Sequence, residues 1–265
     1  MSGKSYFFSD IHLGLPDAER SRVREIRLVK LLDEIRQDAE NLFFVGDIFD
    51  FWWEYRHVVP RGYVRFLGKI AELAEAGVNV YFFTGNHDIW LKNYLTDELG
   101  IKLFFEAQTF EIQSKKLFIA HGDGLGPGDK TYKILKKIFT NRSLQWLFSR
   151  LHPNFAFELA LLWSHTRRKK EKYIKFAGAD KEFLFLYANE ILKSEHFDYF
   201  VFGHRHIPLI QKLTNESTIA NIGEWLHNFT FLELSEGQFS LKTYKHERIE
   251  PFEQNLDEFQ NISIF

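Results

Sequence analysis

The stretch Tyr6-Phe7-Phe8-Ser9-Asp10-Ile11-His12 sets the architecture: a short apolar, aromatic run of strand character stops on two metal-seeking side chains. The same arrangement returns four times. Leu42-Phe43-Phe44-Val45 leads into Gly46-Asp47, and Val80-Tyr81-Phe82-Phe83 into Gly85-Asn86-His87-Asp88. Leu117-Phe118-Ile119-Ala120 leads into His121-Gly122-Asp123, and Tyr199-Phe200-Val201-Phe202 into Gly203-His204-Arg205-His206. Buried strands of this kind would deliver oxygen and imidazole donors from one end of a sheet.

Between the first three runs lie segments of helical period. Arg20 to Gln37 repeats apolar residues at Val23, Ile26, Val29, Leu31, Leu32 and Ile35; Tyr63 to Glu75 does so at Phe66, Leu67, Ile70, Leu73 and Ala74, with Gly77 as its stop. A β-α-β-α-β order requires crossover connections and a largely parallel central sheet, hence an α/β fold. Leu103 to Ile112 and Lys116 to Ala120 predict a further strand and its hairpin partner. From Lys130 to about residue 192 only helical stretches appear, directly after the loop bearing His121. Strands return at Tyr199 and continue through Thr218 to Ala220, Thr230 to Leu234 and Phe239 to Tyr244. The organisation expected is one domain over residues 1–265, with a helical insertion at 130–192.

The chain has 265 residues, 45% of them hydrophobic, with 29 Phe and no Cys. Without cysteine there is neither a disulfide nor thiolate chemistry. No apolar stretch approaches the roughly 18 residues that span a bilayer, and the first strand begins too early for a signal peptide. A cytoplasmic protein is expected, peripheral on a membrane at most. The net charge is −2, yet Lys130 to Lys175 holds twelve Lys and Arg against Glu158 and Glu171. That surplus points either to an anionic partner or to a solvated helical face. Its Leu-rich and Phe-rich helices suit lipid, whereas single-stranded nucleic acid usually tracks a sheet or groove.

Seven side chains make up the candidate ligand set. Asp10 and His12 lie two residues apart on one loop. Asp47 offers two carboxylate oxygens and can bridge two cations. Asn86 supplies a neutral amide oxygen, and His121, His204 and His206 complete the group. Gly46, Gly85, Gly122 and Gly203 permit the tight turns at the strand tips. His87, beside Asn86, is placed to hydrogen-bond a phosphoryl oxygen or to protonate a leaving group. Asp50 and Asp88 read as partners that orient histidines or turns. The groups expected to carry the chemistry are His87, Asp47 and Asn86.

The five motifs as a set resemble the calcineurin-like metallophosphoesterases: D-x-H at Asp10 to His12, GD at Gly46-Asp47, GNHD at Gly85 to Asp88, His121-Gly122, and GHxH at Gly203 to His206. The resemblance implies a four-layer α/β/β/α sandwich with a two-metal site at the sheet tips. One ion would take Asp10, His12, Asp47 and His206, the other Asp47, Asn86, His121 and His204. Donors without thiolate suit Mn, Fe or Zn; two Mn²⁺ ions are the expectation, with Fe or Zn as alternatives.

Further features resemble one branch, the UDP-2,3-diacylglucosamine diphosphatases of lipid A synthesis. They are Gly46-Asp47-Ile48-Phe49-Asp50-Phe51-Trp52, His121-Gly122-Asp123-Gly124-Leu125 with Asp129 beyond it, and Asn221-Ile222-Gly223-Glu224-Trp225. That branch carries a helical lid for acyl chains where this chain has its basic insertion, which implies a lipid-linked nucleotide as substrate. Asn86, His87, Asp129 and His204 are then expected to contact it, with Arg167 and Arg168 among the lid cations. The better-known members have Arg where this chain has His87, so a bidentate phosphate clamp is exchanged for a titratable group. Another metallophosphoesterase, acting on nucleotides or phosphoproteins, is the alternative reading.

Overall fold

The computed structural model describes residues 3–127, 130–168 and 176–254, apart from the side chains of 130, 131 and 163–168. The amino-terminal half runs β1 (Lys4–Phe8), α1 (Ala18–Ile35), β2 (Ala39–Val45), α2 (Val64–Glu75), β3 (Asn79–Phe83), α3 (Tyr94–Leu99) and β4 (Lys102–Phe104). A hairpin follows, β5 (Gln108–Ile112) and β6 (Lys115–Ala120). Then come four helices, α4 (Lys130–Phe139), α5 (Arg142–Phe148), α6 (Pro153–Arg168) and α7 (Phe183–Ile191). The chain closes with β7 (Tyr199–Phe202), β8 (Leu209–Lys212), β9 (Thr218–Asn221), β10 (Thr230–Ser235), β11 (Gln238–Lys245) and β12 (Arg248–Pro251).

These strands form two sheets. The seven-stranded sheet has the order β12-β11-β10-β1-β2-β3-β4, and the five-stranded sheet β5-β6-β7-β9-β8. In the first sheet β1 to β4 are parallel out to the edge and β10 to β12 continue it antiparallel on the other side; in the second β6, β7 and β9 are parallel, with antiparallel β5 and β8 at the edges. The uninterrupted aromatic runs are explained by sheets covered on both faces. Tyr6, Phe8, Leu42, Phe44 and Phe82 point to one side, where Leu28, Leu31, Leu32 and Ile35 of α1 and Phe66, Ile70 and Leu73 of α2 meet them. Phe7, Phe43, Val45 and Phe83 point the other way, against Leu117, Ile119, Val201 and Ala220 of the second sheet. Phe200, Phe202 and Ile219 cover that sheet's far face together with Leu184, Phe185 and Ala188 of α7. Three apolar interlayers between four layers are the α/β/β/α sandwich that the motifs imply.

Three local readings are corrected. Leu103 to Ile112 is not one strand: Lys102–Phe104 pairs with β3 in the first sheet, and Gln108–Ile112 pairs with β6 in the second, so residues between them carry the chain across the sandwich. Val23 and Ile26 of α1 are exposed, while Arg24 and Glu25 are buried. Their burial has a reason: the Glu25 carboxylate accepts the Arg65 and Phe66 amides at 3.0 and 3.1 Å, satisfying the start of α2, whose N-cap Tyr63 offers no side-chain bond. The helical stretch after residue 130 is also not uniform. The α7 helix is the fourth layer of the sandwich, whereas α4 to α6 leave Ile134, Ile138, Leu144, Trp146, Leu147 and Phe155 exposed.

Candidate metal centre

The centre lies where β1, β2, β3, β6 and β7 end. Backbone geometry there is unusual for residues with a Cβ. Asp10, His12, Asp47, His204 and His206 all have positive φ, between 47° and 63°. Such strain persists where surrounding contacts over-determine it, and it concentrates at functional sites. Glycine is demanded at two points of closest approach. A Cβ on Gly85 would stand 2.3 Å from Asp47 Oδ1, and one on Gly203 would stand 1.9 Å from Ser9 Oγ.

Two half-sites converge. In the first, donor atoms of Asp10, His12 and His206 lie within 4.8 Å of one another; in the second, those of Asp47, His121 and His204 do. His206 Nε2 is 3.1 Å from Asp10 Oδ1, and His121 Nε2 is 3.4 Å from Asp47 Oδ2. Donors sharing one cation at about 2.1 Å stand about 3.0–3.4 Å apart, so these spacings suit a metal. His12 Nε2 is 3.8 Å from the same Asp47 Oδ2, which therefore stands between the imidazoles of both half-sites. The other oxygen, Oδ1, accepts the His87 amide at 2.8 Å.

Neighbours pin each donor. Ser9 Oγ and the His204 amide, each 2.8 Å away, occupy Asp10 Oδ2 and leave Oδ1 for the centre. Val45 O takes the His121 Nδ1–H at 2.8 Å, which fixes the tautomer and turns the Nε2 lone pair inward. Asp10 Oδ1, Asn86 Oδ1 and His121 Nε2 are buried, with no hydrogen-bond partner of normal geometry among the described residues. Orphaned oxygen and imidazole donors aimed at one space are what a divalent cation would satisfy. Asp88 acts on the backbone: it accepts the Gly85 and Ile48 amides at 2.7 and 2.8 Å, tying the third motif to the second. Asp50 Oδ1 lies 3.6 Å from His12 Nδ1 and 3.5 Å from His87 Nδ1, and Asp50 O is 3.0 Å from the latter.

The charges are interlocked. Burial works against ionised carboxylates here, but the His206 charge holds Asp10 down to about 2, and His121, then His87 and His12, hold Asp47 well below the usual range. Burial likewise opposes charging of His121, yet Asp47 beside it pushes that imidazole up to about 10. Burial and then the His121 charge push His204 down to about 4. A cation entering the second half-site therefore finds His204 already neutral and must displace a proton from His121. Mn²⁺ affinity of metal-stripped protein is expected to rise between about pH 6 and 8, with release of about one proton. Calorimetry in buffers of different ionisation enthalpy measures this; an affinity flat with pH would contradict it.

The calcineurin-like phosphoesterase family profile matches residues 3–208. The chain belongs to the calcineurin-like phosphoesterase family. Metal-dependent phosphoester hydrolysis and a need for divalent cations come with that membership, as expected from the motifs. The UDP-2,3-diacylglucosamine hydrolase of Porphyromonas gingivalis is 37% identical over 240 residues, covering 85% of this chain and 92% of its own. That of Histophilus somni is 26% identical, covering 89% and 98%. Among solved structures, the Escherichia coli phosphoesterase YfcE aligns with 93% of this chain and 96% of its own at 18% identity and a TM-score of 0.46.

In this phosphoesterase α4, α5 and α6 dock onto the loops that follow β2 and β3 through aromatic pairs. Phe139 of α4 meets Trp90, Phe148 of α5 meets Trp53, and Phe157 of α6 meets Phe51, with ring centroids 4.6–5.0 Å apart. All three body aromatics follow the Asp47 and His87 motifs closely. Of the expected substrate contacts, Asn86, His87 and His204 lie at the centre. Asp129 lies outside the described residues, as do the side chains of Arg167 and Arg168. Several residues that hold the centre escaped sequence reading. Arg24 donates to His12 O at 3.1 Å, and the Trp225 amide to Asp10 O at 3.1 Å. Ser9, adjacent to Asp10, had a local signal; Arg24, inside a helix, had none.

Proposed function

We propose that this phosphoesterase hydrolyses the diphosphate of UDP-2,3-diacylglucosamine, releasing UMP and 2,3-diacylglucosamine 1-phosphate. The observation that carries the reading is the match to the P. gingivalis hydrolase, 37% identical and covering 85% of this chain and 92% of its own. When bound, a pair of divalent cations, taken here as Mn²⁺, supplies Lewis acidity at the phosphoryl group and acidifies a water for attack on phosphorus. Asp10, His12 and His206 would hold one cation, Asn86, His121 and His204 the other, with Asp47 Oδ2 common to both.

The His87 side chain is 22% exposed, against 3% for His12 and 14% for His206. Its Nδ1–H is directed at Asp50 O, which fixes the orientation of the ring. A sugar phosphate is a weakly basic leaving group, so a hydrogen bond to a phosphoryl oxygen is the role this reaction asks of His87. The insertion supplies the apolar wall, and its cations supply the counter-charge for an anionic lipid.

Hydrolysis in ¹⁸O-water with Mn²⁺ tests the reading. Attack at the α-phosphorus places the label in UMP. Label in the sugar phosphate would move the attack to the other phosphorus, and turnover of simple nucleotide esters with the lipid nucleotide untouched would favour the alternative on the same scaffold.

Among the described residues no helix is long and apolar enough to cross a membrane. The exposed Trp146 and Leu147 share α5 with Arg142, Arg150 follows just after it, Phe155 lies in α6, and Lys133 and Lys137 belong to the neighbouring α4. That pairing supports peripheral contact with an anionic bilayer, where the substrate resides. Trp146→Ser with Leu147→Ser is expected to cut sedimentation with phosphatidylglycerol vesicles about tenfold; unchanged binding would contradict this contact.

A further inference from the structure

The insertion α4 to α6 is tied to the candidate centre at its start, and the sandwich helix α7 that follows it is tied there as well. At its start, Asp123 lies two residues past His121 and is 6% exposed. Its Oδ2 accepts Tyr132 Oη at 2.6 Å and Lys136 Nζ at 2.7 Å, both from the first turns of α4. After its end, Glu182 at the head of α7 is 5% exposed and grips Arg205, with Nε and Nη2 each 3.0 Å from a carboxylate oxygen. Arg205 stands between His204 and His206. Next to that pair, the Phe183 ring meets His204 with centroids 6.2 Å apart, and Leu184 fills the space where Gly122 has no side chain.

The Asp10 and His12 loop is held differently. Ser9, Arg24 and the Trp225 amide secure it, and all three belong to the sandwich. The asymmetry has a physical consequence. A fork of guanidinium on carboxylate, buried on the acid's side, fixes orientation as well as distance. The Lys136 ammonium likewise gives the buried Asp123 carboxylate a counter-charge from α4. Partners one step behind a ligand set its orientation and change metal affinity when removed.

We infer that Lys136–Asp123, reaching from α4, and Glu182–Arg205, reaching from α7, are positioning pairs that set the cation affinity of the Asp47, His121 and His204 half-site, the first of them through the seating of α4 to α6. The inference rests on the reading that these residues hold cations, and it adds a coupling. A ligand that seats the lid tightens one cation, and that cation in turn favours the seated lid, since linkage is reciprocal. The other half-site stays as the sandwich holds it.

The test titrates Mn²⁺ into metal-stripped full-length protein and follows both binding steps by calorimetry and electron paramagnetic resonance. Wild type is expected to bind two ions. Lys136→Met and Glu182→Gln are expected to weaken one of them about tenfold and leave the other within about twofold. Lys136→Arg, which keeps the charge on Asp123, is expected to restore wild-type affinity; a merely structural role for α4 would not separate Met from Arg in this way. Both sites unchanged, both weakened alike, or Lys136→Arg as weak as Lys136→Met would each overturn the coupling. If circular dichroism shows Glu182→Gln to be unfolded, Lys136→Met decides alone, its side chain being 37% exposed and at the margin of the fold. Wild-type protein that binds no pair of ions would instead remove the underlying reading.

Discussion

Asp47→Ala is expected to lower kcat by roughly a thousandfold or more at saturating Mn²⁺, a loss of about 4 kcal/mol in transition-state stabilisation. One side chain does three things. Its Oδ2 lies 3.8 Å from His12 Nε2 and 3.4 Å from His121 Nε2, common to the two half-sites. Its Oδ1 takes the His87 amide and so orients the loop that presents His87. Its charge is the main influence raising His121. Alanine removes the shared donor, frees that loop and leaves His121 without its counter-charge. Steady-state turnover in metal-replete buffer, with circular dichroism to establish folding, measures the effect. Retained turnover in a folded variant would be incompatible with a centre built around Asp47.

Replacing residues 130–168 by a short linker is expected to lower kcat/KM for the lipid nucleotide roughly a hundredfold to a thousandfold. Turnover of a small phosphodiester at saturating Mn²⁺ should stay within about threefold. The logic is that acyl chains contribute binding energy far from phosphorus, and only a substrate that has them can lose it. The excision must stop short of α7. Leu184, Phe185 and Ala188 are buried against Phe200, Phe202 and Ile219, and removing one such core residue alone costs about 2–5 kcal/mol. Equal losses on both substrates would mean that the helices serve the fold or the cations alone.

The sheet-tip constellation was readable because its signal is doubly local: each apolar run and the ligands at its end are contiguous. Five such pairs in order leave little freedom for the strand ends to be elsewhere. The layer count came with the family resemblance, and runs such as Tyr6-Phe7-Phe8, apolar on both faces, are covered on both as that architecture requires. What escaped was of two kinds. Short elements with weak patterns, β8, β12 and α3, gain their identity from pairing partners distant in the chain. Contacts between motifs were equally hidden: nothing around Glu182 announces that it meets Arg205, or around Arg24 that it reaches His12 O. The helical stretch misled for a related reason. Helical period marks α4 and α7 alike, and only burial against the second sheet separates the outer layer from the insertion.

Anomalous scattering at the Mn edge from crystals grown with Mn²⁺ tests the central claim most directly. Two peaks about 3.5–4 Å apart are predicted, one among Asp10, His12 and His206, the other among Asn86, His121 and His204, with Asp47 Oδ2 between them. A single peak, no peak, or peaks away from these side chains would contradict the account.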